Sequence, residues 1–405
     1  MTDFDPTGEW IYLDNNATTR MDARVVEAML PFFRELYANA SSAHAPGSAA
    51  AAAVRRARQQ VQALIGAARE GEIVFTSGGS ESNNAAIFSA LETQAGRNEI
   101  VTSAVEHPAV LAACAYLEKT GRAKIHRIPV DGGGNLDLHA YRAALSERTA
   151  MVSIQWANNE TGIIFPVALL AAMAHDAGAL FHTDAVQAAG KIAIDVQAAQ
   201  TDMLTLSAHK LHGPKGTGAL YVRNGVKLAP LVHGGRQERG RRAGTENTAA
   251  IVGFGAAAEL AAQALTREMP RVEAMRDRLE RAILRTVPAS MVIGGGAAGC
   301  DSDSTLRLPN TLNIAFQDLE ADAILLLLDR ACIAASSGSA CAAGSMEPSH
   351  VLRAMKVPFA YLRGSVRFSL SRESSDKDVD RVLYVLPRVV NELQAMSVPL
   401  EAAYD

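Results

Sequence analysis

Four cysteines in 405 residues, with no Cys-x-x-Cys pair among them, leave this chain without the spacing of a disulfide framework or a zinc site. Each thiol has to be judged alone. Cys114 and Cys332 sit among apolar neighbours and read as small packing side chains, whereas Cys300 lies in a glycine-rich turn and its role stays open. Charge of one sign is also missing. A formal net charge of -4, with 20% charged residues, provides no basic face for a polyanion, so no nucleic acid partner is expected. Long apolar runs are missing too: the stretch from Ala249 to Leu265 is interrupted by Glu259, and Ile324 to Leu328 is far too short to cross a bilayer. The first ten residues carry Asp3, Asp5 and Glu9 where a secretory signal would have a basic start and an apolar core. The expectation is a cytoplasmic protein with no membrane span.

What is present is a chain with 48% hydrophobic residues, long enough for one large unit and one smaller one at roughly 150 residues per domain. Short β-prone runs recur at Glu72 to Thr76, Glu99 to Ser103, Lys124 to Pro129, Met151 to Gln155, Ala179 to Thr183, Met203 to Ser207 and Gly218 to Val222. Helix-compatible segments separate most of them. This alternation predicts an α/β fold, a doubly wound, mostly parallel sheet with ligands in the loops beyond the strand carboxyl ends. Helices are expected over Asp22 to Tyr37 and Ser48 to Ile65, and one long helical stretch from Asn247 through Leu284. Strand candidates Met291 to Ile293, Thr311 to Phe316 and Ser365 to Leu370 alternate with helix candidates Leu319 to Asp329 and Lys377 to Met396, the pattern of a small α+β domain. The expected divisions are an N-terminal segment 1–20 packing with the small domain, a large domain 21–265 and a small domain 266–405. Ala334 to Ser345, AASSGSACAAGS, has little to pack and much backbone freedom, and reads as a mobile loop.

The chemistry-bearing residues fall on the strand ends. Lys210 in SAHKLHGPKG places an amine just past a strand, where burial or neighbouring cations can make it nucleophilic enough for Schiff-base formation. Taken alone it reads more readily as a solvated surface lysine, and only the surrounding residues reverse that. Asp184 in FHTDAVQ could pair with a protonated ring nitrogen or simply cap a helix. Ser77-Gly78-Gly79-Ser80 before a helical segment offers amides and hydroxyls to a phosphate, or is a glycine turn with a serine cap. His107 in EHPAV could stack on a planar group and exchange protons, or simply mark a turn before proline. Asn158 in WANNETG and Gln187 in DAVQ are amides able to bond a ring hydroxyl or to brace their own loops. Arg367 in SVRFSLS suits a carboxylate, or a surface ion pair. Cys341, on a loop of serines, glycines and alanines, is badly placed for packing and well placed for reactivity.

In order, YLDNNATT, SSAHAPG, TSGGSESNNAAI, EHPAV, WANNETG, HTDAVQ, SAHKLHGPKG, RRAGTEN and SSGSAC resemble the cysteine desulfurases, the NifS and IscS branch of the class V aminotransferase-like enzymes. The resemblance runs from about Tyr12 to about Asp380. It implies the type I pyridoxal-phosphate transferase fold in a homodimer, with pyridoxal 5'-phosphate as cofactor and L-cysteine as substrate. Lys210 would carry the cofactor as a Schiff base, His107 would stack on it as acid or base, and Asp184 would pair with its ring nitrogen. Asn158 and Gln187 would serve the substrate and ring hydroxyl. Gly79, Ser80, Ser207 and His209 would hold the phosphate, joined by Thr245 from the other subunit. Arg367 would bind the substrate carboxylate, and Cys341 would accept the sulfur as a persulfide.

Ser80 stands where this family often has threonine, which keeps the hydroxyl. The small-residue loop around Cys341 resembles the branch that delivers sulfur to a partner. The resemblance implies an iron–sulfur scaffold protein as acceptor. No stable metal site is implied, beyond Cys341 as a transient iron–sulfur ligand. QERGRRAGTENTA and EPSHVLRAM look nearer to the nitrogen-fixation type than to the housekeeping type. A transaminase or selenocysteine lyase of the same fold and a non-catalytic sulfur carrier remain the alternatives.

Overall fold

The computed structural model describes residues 10–294, 306–337 and 348–396. Its strands are β1 (Ile11–Tyr12), β2 (Ile73–Thr76), β3 (Glu99–Ser103), β4 (Lys124–Ile128), β5 (Thr149–Ser153), β6 (Leu180–Asp184), β7 (Met203–Ser207), β8 (Gly218–Val222), β9 (Ser290–Val292), β10 (Thr311–Phe316), β11 (Ile333–Ala334) and β12 (Ser365–Ser369). A seven-stranded sheet takes the order β2-β8-β7-β6-β5-β3-β4. Pairing is parallel from β7 through β4, and β8 runs antiparallel to both its neighbours. Two antiparallel steps restore the direction of β2. Every strand of this sheet except β8 therefore ends on the same edge, and the expected mostly parallel α/β architecture is the one found.

Period-two alternation sends successive residues to opposite faces. Ile100, Met151 and Met203 face the helices Gly79–Thr93 and Pro108–Lys119, through Ala86, Val110 and Leu117. Their sequence neighbours Val101, Val152 and Leu204 join the opposite core with Val61 and Phe254 from the helices Ala45–Leu64 and Thr248–Arg267. A sheet covered on both faces buries nearly every strand residue, and β2, β3, β5, β7 and β8 are buried along their whole length. The helix Thr248–Arg267 is long and apolar enough to cross a bilayer, but Phe254, Ala257 and Ala258 are buried in this core.

A separate core gathers Val272, Leu279 and Ile283 of the helix Met269–Thr286 with Leu312, Ile314, Val366 and Phe368 of the antiparallel sheet β12-β10-β9 and with Val382 and Leu386 of the helix Asp376–Met396. Leu13 belongs to it, because β1 pairs in parallel with β11. The helical stretch expected from Asn247 through Leu284 is two helices meeting at Glu268. Pro270 explains the break: it has no N–H and its ring would collide with the carbonyl four residues back. Pro31 likewise divides the first expected helix into Ala23–Met29 and Pro31–Arg34. Val351, Leu352 and Met355, late in the chain, pack on the first core and not on the second.

Candidate active site

Strand carboxyl ends converge on one cavity of about 400 Å³. β6 ends in Asp184, and β7 ends in Ser207 and turns directly through Ala208–Lys210. From β2 the chain passes through Gly78, at φ +153, into the helix Gly79–Thr93. That backbone requires glycine. From β3 it reaches His107, which caps the helix Pro108–Lys119. Gly79, Ser80, His107, Asp184, Gln187 and Ser207 all line the cavity, as do His209, Lys210 and Arg367.

The Lys210 Nζ donates to the backbone carbonyls of Asn16 at 2.5 Å and Ala17 at 2.6 Å, so the amine is held against the N-terminal segment. Asp184 caps no helix, since the chain after it is a turn, and both of its oxygens accept hydrogen bonds within the protein. Its Oδ1 accepts from the Val186 amide at 3.0 Å, bracing the turn, and its Oδ2 accepts from Asn83 Nδ2 at 2.7 Å. His107 Nδ1 accepts from the Ala109 amide at 3.1 Å. A backbone N–H can only donate, so the neutral ring carries its proton on Nε2. Burial first, then the Lys210 and His350 charges, holds the His107 imidazole below its usual value, against the pull of Asp184. Burial and nearby Lys210 also push His209 down to about 4, leaving a neutral ring whose Nδ1 lies 3.2 Å from Thr18 Oγ1.

Arg367, on β12, is buried. It donates to Asp14 Oδ1 at 2.7 Å and to the Asn159 carbonyl at 3.0 Å. The expected ion pair exists, but in the interior and not on the surface. Gln187 Nε2 donates to the Asn16 carbonyl at 2.9 Å.

Asn158 is not on the cavity wall. Its Nδ2 donates to the Val105 carbonyl at 3.0 Å and its Oδ1 accepts from the Glu160 and Thr161 amides, both at 2.9 Å, so the side chain holds its own loop. Gln155, Ala157 and Asn159 border the cavity from that segment. Thr245 is exposed and is absent from the lining of this single chain. Its segment is nevertheless tied to the helix start, because Arg242 donates to Glu81 at 2.9 and 3.2 Å. Cys341 and Cys300, and most of the small-residue loop, lie outside the described residues.

Sequence reasoning passed over Asn16, Asn83 and Lys191. Asn83 Oδ1 is buried and has no hydrogen-bond partner among the described residues. Asn16 ties the two cores together: its amide nitrogen donates to Asn159 O at 3.0 Å and Thr311 Oγ1 at 2.9 Å, and its Oδ1 accepts from Asn310 at 3.0 Å. Asn16 lies in YLDNNATT and Asn83 in SESNNAAI, so the motifs were visible although the individual amides were not singled out.

An amine, a buried carboxylate and a glycine-led helix start around one cavity define an enzyme site of the aminotransferase type. The aminotransferase class-V profile matches residues 11–382, so the chain belongs to that family, and within it to the cysteine desulfurases. A curated cysteine desulfurase of Gluconacetobacter diazotrophicus is 61% identical over 387 residues, covering 96% of this chain and 95% of that one. The cysteine desulfurase NifS of Azotobacter vinelandii is 52% identical, covering 96% and 94%. Among solved structures, a NifS-like protein superposes with a TM-score of 0.86 at 35% identity, over 96% of this chain and all of that one.

Proposed function

We propose that the cavity holds pyridoxal 5'-phosphate and that the chain uses it to convert L-cysteine to L-alanine, passing the sulfur to Cys341. The observation that carries this reading is the convergence of Lys210, Asp184 and the Gly79–Ser80 helix start on one cavity. The donor set suits the cofactor. Lys210 would hold its aldehyde, Asp184 its ring nitrogen, and Gly79, Ser80, Ser207 and His209 its phosphate, at a helix start where backbone amides and the helix dipole favour an anion. The unpartnered Asn83 Oδ1 is a further polar atom next to Asp184 that an occupant could satisfy.

The bound cofactor supplies an electron sink for the charge left on the substrate Cα. The remaining work falls to this chain. Arg367 grips the substrate carboxylate through a planar fork, and Asn158 keeps the loop beside it in place. Lys210, once displaced, takes the Cα proton. His107 presents Nε2–H to the site and donates there. The Cys341 thiolate attacks the substrate sulfur: an S–S bond forms, the C–S bond breaks, and the carbon gains a proton, so cysteine and thiol become alanine and persulfide.

By this reading the protein is a cytoplasmic homodimer in which Thr245 of each subunit completes the phosphate site of the other. The persulfide is delivered to an iron–sulfur scaffold protein, for nitrogenase clusters in the nitrogen-fixation type, with Cys341 as a transient cluster ligand. Cys341→Ser tests the assignment: the variant should keep the yellow colour of the loaded protein and release no sulfide from cysteine. A variant that desulfurates like the wild type contradicts it.

A further inference from the structure

Lys191 is buried and lies beside the proposed cofactor cavity, yet no motif marks it and it has no part in the mechanism above. Its Nζ donates to Gln187 Oε1 at 2.6 Å and to Asn16 Oδ1 at 3.3 Å. Gln187 Nε2 donates in turn to the Asn16 backbone carbonyl at 2.9 Å, the same carbonyl that receives Lys210. These contacts fix which way round the Gln187 amide sits. A backbone carbonyl can only accept, so the nitrogen of Gln187 must face Asn16 and its oxygen must face Lys191. The flipped amide would set two carbonyl oxygens against each other.

The consequence concerns what Gln187 offers the cavity. Its oxygen is taken by Lys191 and one N–H by Asn16, which leaves the second N–H as the polar group available to an occupant. We propose that Lys191 is a positioning residue: it locks the Gln187 carboxamide with its donor edge toward the cavity, so that the site favours an ionised oxygen on the cofactor ring. This rests on the pyridoxal-phosphate reading above and deepens it. Both partners of Lys191 are neutral amide oxygens, and burial, with Lys210 and Arg367 nearby, holds its amine well below the usual lysine range.

The test uses full-length protein loaded with pyridoxal phosphate and follows the visible spectrum against pH, in wild type, Lys191→Met, Gln187→Met and the double variant. Wild-type uptake of the cofactor is read first. Without the lock, Gln187 no longer favours the ionised ring oxygen, so the spectral midpoint of K191M should rise by about one pH unit and cofactor affinity should fall about tenfold. In the Q187M background the same substitution should move the midpoint no further, because Lys191 acts through that amide. A packing role alone would lower the melting temperature and leave the spectral midpoint in place. If K191M melts too low to titrate, Lys191→Gln, which keeps a donor, enters the cycle in its place and should hold the midpoint closer to wild type than Q187M does. A loaded wild type with an unchanged K191M midpoint, or equal shifts in both backgrounds, overturns the positioning role alone. A wild type that takes up no pyridoxal phosphate overturns the functional reading and this role with it.

Discussion

Asn83 donates to Asp184 Oδ2 across 2.7 Å, joining the helix Gly79–Thr93 to the end of β6 and holding the carboxylate at the cavity wall. The arrangement gives Asp184 a fixed direction, with hydrogen bonds from a carboxamide and a backbone amide, both uncharged donors. Asp184→Asn keeps the size and an acceptor oxygen but removes the charge. Turnover of cysteine should fall by about 10²-fold while the protein still takes up the cofactor, as expected when a preorganised charge is deleted. Steady-state alanine formation together with cofactor titration checks this, and wild-type turnover would contradict it.

His107 has a structural task, capping a helix, as well as its proposed chemical one. Asparagine caps helices well, whereas alanine does not. His107→Asn should therefore melt near the wild type and His107→Ala should lose about 1 kcal/mol of stability, while both lose activity by about 10²-fold or more. Thermal unfolding run beside the sulfide assay separates the two tasks. Two variants equal in both stability and activity to the wild type would remove His107 from the site.

Beneath Asp184, His182 is buried between Ser153 Oγ at 2.9 Å and Thr205 Oγ1 at 3.0 Å, and burial pushes it from 6.5 down to about 4, against the attraction of Asp184. The unfolded chain protonates this ring first, so its contribution to stability is present above the unfolded value and is lost as pH falls toward the folded one. Between about pH 7.5 and about pH 5.5 the loss amounts to roughly 1 kcal/mol. Denaturant unfolding at the two pH values should show a shallower pH dependence for His182→Gln than for the wild type, by that amount. Equal slopes would contradict the assignment.

Gly218 lets β8 pass against the turn that leads to the cavity. A Cβ there would stand 2.6 Å from the Leu206 carbonyl oxygen and 2.7 Å from Gly78 Cα, both backbone atoms that cannot swing aside. Gly218→Ala should cost about 2 kcal/mol and weaken cofactor uptake, because the displaced Gly78 carries the helix start with it. Melting and cofactor titration read the two effects; a variant matching the wild type in both would show that the turn can yield.

The sheet was legible in the sequence because short β-prone runs separated by helical segments mark its strands: β3, β7 and β8 fall where those runs do. The places of Lys210, Asp184 and His107 on the cavity wall were legible for a related reason, since each stands at or a few residues beyond the end of such a strand. Asn158 shows the limit of that rule. It too follows a strand, but its oxygen turns back onto the amides of Glu160 and Thr161, a choice set by loop geometry that the sequence does not display. Lys191 and Asn16 were hidden differently, for they meet across 175 positions of chain and are brought together only when the N-terminal segment folds over the strand ends. The break at Glu268 could have been read from Pro270, had the alanine-rich run before it weighed less.

The most direct test supplies the purified protein with pyridoxal phosphate, L-cysteine and a thiol reductant, and measures alanine and sulfide over time beside Lys210→Ala. Equal amounts of the two products from the wild type and neither from the variant are predicted. Sulfide without alanine, or undiminished release from Lys210→Ala, would contradict the account.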